Sequence, residues 1–397
     1  MLHVSKPSVA HPLPVALAGA VTLAAVMGFG RFFYTPVLPA MMADLHLDPA
    51  QSGLIAAANF AGYLAGAILA GYGWAAGHER RLALLALAAN AALLAVMGFA
   101  STLPAFVIIR FLAGLASAFG LVFTSGIVLS HGLAAGDTRV PVIHFSGVGA
   151  GIALSSLLVM ELSSFEHGGF AAWRPDWIVA AIFTSLALVA VSLLLPRTGA
   201  GVSARPEPAL CWTRPLAALA LSYGLFGIGY VVTATFIVAI VRDGGADPLL
   251  EALTWFVTGL TAAVSLALWK WPQRRLGLLG GYRAALLLEA LGVAATVILP
   301  MPVSVLVGGV LLGATFMVIT AYGLQLCRAM APESPRRSLA TMTAAFGVGQ
   351  IVGPLAAGWL AAESGSYGLP SLMAAAILTV AALVTLLAKG EGSIKSR

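Results

Sequence analysis

The sequence predicts an all-α membrane protein of twelve transmembrane helices in two pseudo-symmetric six-helix bundles. Three observations lead to this fold class: the apolar composition, the number of long apolar runs and the distribution of basic residues. Of the 397 residues, 60% are hydrophobic and 9% are charged, whereas about 25% of the residues of a soluble domain are charged. A bilayer can solvate such a chain, because each span of about 20 apolar residues faces lipid.

The apolar runs divide the chain into two predicted bundles, residues 1–196 and 215–397, joined by a cytoplasmic linker of residues 197–214. The first run continues through Arg31 to Pro36 without a cleavage region, so it is interpreted as a span and not as a signal peptide. The predicted spans are residues 13–36, 50–74, 82–100, 103–131, 138–162, 176–196, 215–241, 248–269, 282–300, 302–330, 337–362 and 368–388.

The basic residues predict the orientation, because Lys and Arg concentrate on the cytoplasmic side of membrane proteins. With both termini in the cytoplasm, only Arg174 and Arg242 of the 21 Lys and Arg fall in outward loops. Arg31 and Arg110 fall inside predicted spans, and the rest lie on the cytoplasmic side. We therefore expect a multi-pass protein of the inner (plasma) membrane with both termini in the cytoplasm.

The same distribution limits the partners. The net charge of +6 does not indicate nucleic-acid binding, because the basic residues sit in short loops between apolar runs. Cys211 and Cys327 are both predicted at the cytoplasmic side, where thiols stay reduced. No Cys/His cluster has metal-ligand spacing, so neither a metal nor a cofactor is expected. We expect a monomer in the lipid bilayer.

Glycine motifs recur at an offset near 199 residues, in corresponding spans of the two halves. Each match is weak in a chain with 44 glycines, but three matches at one offset indicate an internal repeat. The corresponding positions are Gly28–Gly30 with Gly227–Gly229, Gly114 with Gly313, and Gly147–Gly149 with Gly347–Gly349.

These segments also carry a family resemblance. Gly28–Pro39 resembles the first helix of the YbfB/YjiJ-like branch of the major facilitator superfamily, and Ala56–Gly66 resembles the same branch. Arg110–Gly120 is similar to the Arg-containing motif of helix 4, and Phe346–Pro354 to the Gly/Pro motif, here in helix 11. The resemblance covers nearly the whole chain. It implies a secondary transporter with two six-helix repeats, which binds a small-molecule substrate between them near the membrane midplane.

The loop after the second span departs from the superfamily pattern. Ala75 lies near the position where the superfamily usually has an Asp before the basic residues of this loop. The loop at residues 269–275 is degraded in the same way. We therefore do not expect the usual inner charge lock.

Arg31, Arg110 and Glu289 are the strongly ionisable residues well inside predicted spans. An Arg at the bilayer centre costs about 2.5–3.5 kcal/mol on insertion scales, so both arginines should face an interior or a watery cavity. A guanidinium binds a carboxylate through two parallel hydrogen bonds. One hypothesis is that Arg31, Arg110 or both bind an anionic group, which makes the predicted substrate a small organic anion. The alternative is that they bond helix carbonyls and shape the bundle, and for Arg110 a structural or gating role is favoured.

Other polar and aromatic side chains share helix faces with spacing that suits either a ligand or packing. Tyr230 is the repeat mate of Arg31. Tyr223, Phe226 and Tyr230 share a helix face, which could form an aromatic wall opposite Arg31. Local packing explains these patterns about as well. The candidates for substrate contact besides the arginines are Tyr34, Asn59, Tyr63, Tyr223, Phe226, Tyr230 and Gln350.

Proton coupling is implied by the resemblance, and Glu289 and His144 are its candidate residues. Histidine is a candidate because an imidazole can gain or lose a proton near neutral pH. Alternatively, Glu289 pairs with Arg283 or Arg275, and His144 snorkels to the membrane surface.

Small residues spaced four apart allow helix backbones to approach closely. The resemblance implies that helices 2 and 11, and helices 5 and 8, meet between the bundles, where smooth contacts permit rocking. The pairs with this spacing are Gly62 and Gly66, Gly147 and Gly151, and Gly349 and Gly353.

Other functional classes lack their sequence signatures. The chain has no phosphate-binding Gly-x-x-x-x-Gly-Lys-[Ser/Thr] motif, and neither His-Glu-x-x-His nor Gly-x-Ser-x-Gly. An ATP-driven pump and a membrane-embedded enzyme are therefore not expected, and a sensor would normally carry an additional soluble domain. Within transport, the alternative to an organic anion is efflux of amphipathic compounds through the aromatic cavity.

Overall fold

A computed structural model describes residues 12–163, 171, 173–196 and 207–387. The chain termini and linker residues 197–206 lie outside these ranges, so the predicted bundle boundaries remain predictions there. The regular elements of the described ranges are helices, and eleven of them are long and apolar enough to cross a membrane. A twelfth, shorter apolar helix follows them.

The twelve helices are named α1 to α12 in chain order. Their bounds are α1 Pro12–Leu45, α2 Pro49–Gly71, α3 Glu79–Phe99, α4 Leu103–Ala135, α5 Arg139–Ser163, α6 Trp173–Leu194, α7 Arg214–Asp243, α8 Pro248–Leu268, α9 Lys270–Ile298, α10 Val303–Met330, α11 Pro335–Ser364 and α12 Gly368–Val384.

Capping residues mark several of the helix ends. Asp48 begins α2 with a capping box, in which its side chain accepts from the Gln51 N–H and the Gln51 side chain accepts from the Asp48 N–H. The Asp247 side chain caps α8 by accepting from the Leu250 N–H. Gly136 and Gly365 end α4 and α11 in the left-handed conformation, which glycine adopts without steric cost.

Helix α1 is longer and less regular than predicted. It continues past residue 36 to Leu45, and Ala24–Phe32 is π-helical. The prolines at 36 and 39 lie inside the helix and supply no N–H to the preceding turn. The predicted end of the first span at residue 36 is therefore wrong, because the helix extends fourteen residues beyond Arg31, which lies near its middle.

Helices α1–α6 pack with one another, as do α7–α12. In the first set α2 packs on α4, and α3 on α4 and α6. In the second set α7 packs on α11, and α10 on α8 and α9. The two sets meet through α2 with α11, α5 with α8, and the segment Tyr34–Leu45 of α1 with α7.

The glycines predicted between the bundles lie inside them. A Cβ on Gly62 would meet the carbonyl oxygen of Phe111 in α4, and one on Gly147 would meet that of Ala20 in α1. Gly349 approaches the backbone of α7 in the same manner. Each pair therefore permits a close approach within its own bundle, because no side chain separates the backbones.

Other glycines form the contacts between the bundles. Gly149 of α5 faces the backbone of Gly259 and Ala263 in α8, and a Cβ there would clash with the Ala263 nitrogen. Gly53 of α2 faces the carbonyl oxygen of Pro354 in α11 in a corresponding way. These two seams connect the bundles, backbone against backbone.

Helices α1 and α7 cross at corresponding positions of the repeat. The Thr35 hydroxyl donates to the carbonyl oxygen of Ala234 at 2.7 Å, and these two residues are 199 positions apart. Arg31 and Tyr230 each lie four residues before this contact, so each is one helical turn from it. The repeat offset thus brings Arg31 and Tyr230 to the same level at the centre of the molecule.

The side of the bundle on which α1 begins is called the terminal side, and the opposite one the distal side. Residues 25–39 of α1 and residues 229–241 of α7, which lead to the distal side, are buried throughout. Toward the terminal side, Leu13 and Leu17 of α1 and Ala217 and Leu221 of α7 are exposed with a spacing of one turn. The two central helices are therefore more deeply buried toward the distal side than toward the terminal side.

The seam between α5 and α8 predicts that Gly149→Ala destabilises the protein. The new methyl group would press on backbone atoms of α8, and overpacking of this kind costs about 1–3 kcal/mol. Gly126→Ala is the matched control, because its Cβ would meet nothing within 4 Å. We expect a lower melting temperature in detergent for Gly149→Ala alone, and equal values for the two variants would contradict the close contact.

Candidate functional site

The candidate site lies between the two bundles, where α1 and α7 cross. Arg31 extends from α1 toward α2, where its guanidinium carbon lies 4.0 Å from the ring centroid of Tyr63 and 4.8 Å from that of Phe60. The residue is 4% exposed. A cation over an aromatic face is attracted to the negative face of the ring, so these rings orient the guanidinium and partly offset its burial.

The Arg31 guanidinium retains unused hydrogen-bonding capacity. Its Nε and Nη2 atoms are buried and have no hydrogen-bond partner among the described residues. The ion pairs between described residues are those of Arg139, Arg242 and Arg336, so Arg31 has no carboxylate partner there. Buried polar groups are normally satisfied, and an unsatisfied charged donor is costly. The arrangement can therefore bind a ligand that brings a negative charge.

Arg110 has a different role, because its terminal nitrogens are already engaged. Nη1 donates to the carbonyl oxygen of Gly30 at 3.0 Å, and Nη2 donates to that of Arg31 at 2.8 Å. The helix changes from π-helical to α-helical at residues 32–34, and Pro36 has no N–H, so carbonyl groups of this turn need an external donor. Arg110 supplies it, and thereby holds the part of α1 that carries Arg31.

Two of the predicted contact residues belong to the surroundings of Arg110. The Asn59 amide donates to the Arg110 carbonyl oxygen at 2.9 Å, which links α2 to α4. Tyr34 lies against the Arg110 guanidinium, 5.3 Å from ring centroid to carbon, and its hydroxyl donates to the Ser52 carbonyl oxygen. The structure places the Asn59 and Tyr34 side chains in helix packing within the first bundle. Of the contact residues predicted in this bundle, only Tyr63 lies against Arg31.

The second bundle contributes a cluster of stacked rings, called here the aromatic wall. It consists of Tyr223, Phe226 and Tyr230 of α7, Phe316 of α10 and Phe346 of α11. The Tyr230 ring is nearly parallel to those of Phe316 and Phe346, with interplanar angles of 3° and 7°. The Gln350 amide donates to the Tyr230 hydroxyl, and its Oε1 atom is buried without a partner among the described residues.

The two bundles meet at this level through aromatic contacts. The Phe32 ring lies 6.2 Å from that of Phe316 and 6.5 Å from that of Trp255. These three rings and Tyr230 line a small cavity between α1, α7, α8 and α10. The indole N–H of Trp255 is buried and has no hydrogen-bond partner in the described chain.

Sequence reasoning missed Phe32, Trp255, Phe316 and Phe346 as site residues. Phe32 and Phe346 lie inside the two recognised motifs, which could have pointed to them. Trp255 and Phe316 lie in apolar helices where position along the chain does not reveal which face meets the other bundle.

Glu289 and His144 both lie inside the bundles, away from the surface. Glu289 is 0% exposed, and its Oε2 atom lies 3.0 Å from the Thr315 hydroxyl, while Oε1 has no partner among the described residues. Arg283 instead donates to Thr385 and Arg275 stacks on Trp271, so the alternative of an ion pair with Glu289 is wrong. His144 is also 0% exposed, with Nε2 2.8 Å from the Ser125 hydroxyl, so it does not snorkel.

The described residues contain no group of three or more His, Cys, Asp or Glu side chains that could hold a metal ion. Cys211 is exposed and Cys327 is buried, and both are free.

Known proteins share both the sequence pattern and the fold. A family model described as "Uncharacterised MFS-type transporter YbfB" matches residues 23–386. No significant match was found among curated proteins. A crystal structure of a mutant of the nucleoside transporter NupG has a TM-score of 0.75 at 15% identity, covering 94% of this chain and 100% of that one. A bacterial homolog of the human lysosomal transporter Spinster, in an inward-facing and occupied conformation, has a TM-score of 0.70 at 14% identity, covering 95% and 96%.

These likenesses confirm the predicted fold class, a major facilitator fold of two six-helix bundles. At 14–15% identity they carry the fold alone and say nothing of this chain's ligand.

Proposed function

The chain belongs to the YbfB family of MFS-type transporters, and we propose that it moves a small organic anion across the membrane by alternating access. Family membership makes it a multi-pass secondary transporter and not an enzyme. The proposal concerns the substrate class, the coupling ion and the orientation.

The observation that carries the anion proposal is the unpaired Arg31 guanidinium. Two of its nitrogens are buried near the crossing of α1 and α7, without a partner among the described residues. A carboxylate accepts two parallel hydrogen bonds from a guanidinium and neutralises its charge. Arg31 is therefore the proposed anchor, and Arg110 is the residue that positions it through α1.

Alternating access needs contacts that can break on the closed side while the other side closes. The hydrogen bonds between the bundles with this position include two to backbone oxygens. Thr35 donates to Ala234, and Ser156 donates to the Ala252 carbonyl oxygen at 2.6 Å. Both are single hydrogen bonds to backbone oxygens. The glycine seams beside them have few protruding side chains that could interlock the bundles. These features support a rocking movement of the two bundles.

NupG is described as a nucleoside transporter, but a nucleoside does not suit the site of this chain. A nucleoside is neutral, and it would leave the charge of Arg31 unpaired. Efflux of amphipathic compounds is the alternative that the aromatic wall favours, and such compounds would bind without Arg31.

The proposed coupling ion is a proton, and the proposed carrier is Glu289. The Thr315 hydroxyl has one proton and lies 2.6 Å from the Leu311 carbonyl oxygen, closer than to Glu289. A protonated Glu289 can donate to the Thr315 oxygen, whereas an ionised carboxylate would lie buried with no cation partner among the described residues.

We further propose that the terminal side faces the cytoplasm of a cell bounded by an inner (plasma) membrane. The first turns of α3, α5 and α11 on this side carry Arg80, Arg81, Arg139, Arg336 and Arg337, as expected for the cytoplasmic side.

Replacement of Arg31 tests the anion proposal. Arg31→Gln removes the charge while keeping a polar side chain, so we expect it to abolish the thermal shift that organic anions give the wild-type protein. A ligand at 100 times its Kd stabilises a protein by about 2.7 kcal/mol, which a melting curve detects. Arg110→Gln is the contrasting variant and should lower the melting temperature without any ligand, because α1 loses two hydrogen bonds. An unchanged anion shift in Arg31→Gln would overturn the proposal, and shifts by neutral or cationic amphiphiles alone would favour efflux.

Replacement of Glu289 tests the proton proposal. Glu289→Gln imitates the protonated carboxyl and cannot release a proton. In proteoliposomes we expect this variant to exchange a bound anion across the membrane while failing to accumulate it in response to a pH gradient. Gradient-driven accumulation equal to that of the wild type would exclude Glu289 as the carrier.

Cys211 tests the orientation. It is exposed on the terminal side, whereas the other cysteine, Cys327, is buried. A membrane-impermeant maleimide should therefore label inside-out vesicles and not right-side-out vesicles. The control is Asp243→Cys in a Cys211→Ser background, since residue 243 is exposed on the distal side and should label with the opposite pattern. Labelling of Cys211 in right-side-out vesicles would reverse the orientation.

A further inference from the structure

We propose that the anion is a planar aromatic monocarboxylate, whose carboxylate binds Arg31 and whose ring stacks in the aromatic wall. This inference rests on the proposed function and narrows it to one substrate class.

The two halves of the site lie at one level. Arg31 and Tyr230 are each one helical turn from the contact between Thr35 and Ala234. Phe32 connects the two halves, because its ring centroid lies 5.4 Å from the Arg31 guanidinium carbon and 6.2 Å from the ring centroid of Phe316 in the aromatic wall. Leu64 of α2 also lies against Gly347 of α11, and these residues follow Tyr63 and Phe346 in the chain. A single small ligand can therefore reach the guanidinium from one bundle and the rings from the other.

The aromatic wall offers flat faces. Tyr230, Phe316 and Phe346 come from three helices, and the Tyr230 ring is parallel to each of the other two within 7°. Phe346 is half-buried, whereas Phe226 behind it is fully buried, so Phe346 is the face that a ligand can approach. Aromatic pairs prefer offset stacked or edge-to-face geometry, which favours a flat ring over a saturated one of the same size.

The charges of the site distinguish a carboxylate from a zwitterion. The residues that line the small cavity between Phe32 and Phe316 include no acidic side chain among those described. An ammonium group placed there would have no counter-ion, so an aromatic amino acid fits less well than the corresponding acid. The free indole N–H of Trp255 lines the same cavity and can donate to a hydroxyl or ether oxygen on the ring.

The test compares two carboxylates that differ in ring character. Benzoate and cyclohexanecarboxylate have the same charge and similar size, and only benzoate has a flat aromatic face. We expect purified wild-type protein to bind benzoate about threefold to tenfold more tightly by calorimetry, from the usual contribution of aromatic pairs. Phenylalanine and benzylamine should bind more weakly than benzoate.

Substitutions in the aromatic wall test whether its rings cause the preference for benzoate over cyclohexanecarboxylate. Phe346→Leu should bind both acids equally with little change for cyclohexanecarboxylate. Phe99→Leu, which alters a 74% exposed ring at the end of α3, should keep the wild-type preference. The melting temperature without ligand shows whether Phe346→Leu is folded, and Phe316→Leu provides the same test if it is not.

The outcomes separate this inference from the proposed function. Equal binding of the two acids by the wild type, with both lost in Arg31→Gln, would overturn the aromatic inference and leave the organic anion in place. Binding of only aliphatic carboxylates would have the same meaning. Binding of neither carboxylate class, or binding unaffected by Arg31→Gln, would overturn both.

Discussion

The structure depends on one constraint, that polar groups in the hydrocarbon region must find partners within the protein. Most of the chain meets it with regular helices. Helix α1 departs from this rule, because its central segment is π-helical and two prolines follow it. Arg110 supplies hydrogen bonds that this segment lacks, because it donates to the carbonyl oxygens of Gly30 and Arg31. The cost of placing one arginine in the membrane interior is thus offset by backbone groups that need a donor, and the second arginine remains available.

The internal repeat explains where these features lie. Corresponding positions of α1 and α7 meet in the hydrogen bond between Thr35 and Ala234, so whatever precedes them by one turn must face the centre. In the first bundle that position holds a cation, and in the second it holds Tyr230. The same architecture therefore presents charge from one side and aromatic surface from the other. A symmetric scaffold thus carries an asymmetric site, because corresponding positions of the two repeats hold different residues.

Much of the fold and part of the candidate site were predictable from the sequence. The other features depend on contacts that the periodicity of the sequence does not reveal. Hydropathy predicts twelve spans because lipid requires long apolar runs, and the offset of 199 predicts that Arg31 and Tyr230 correspond. The end of α1 was misplaced because Pro36 and Pro39 resemble a helix stop, whereas neighbouring helices supply the missing donors in a membrane. The bundle seams were assigned to Gly62 and Gly349 instead of Gly53 and Gly149, because four-residue spacing predicts a close approach but not its partner. Trp255 and Phe316 depend on tertiary packing, which no local pattern encodes.

The unpaired charge of Arg31 also bears on how transport could be coupled to substrate binding. The Arg31 guanidinium is already buried, and among the described residues it lacks both a carboxylate and, for two of its nitrogens, hydrogen-bond partners. Uncompensated buried charge is strongly destabilising, and a fully closed state with an empty site would keep this cost. An anion bound there cancels the charge before the bundles close. The same electrostatic requirement does not apply to Glu289, which can be buried as a neutral acid beside Thr315. On the proposed function, the anion therefore determines whether the cleft can close, and the proton determines the charge state of the second bundle while it does so.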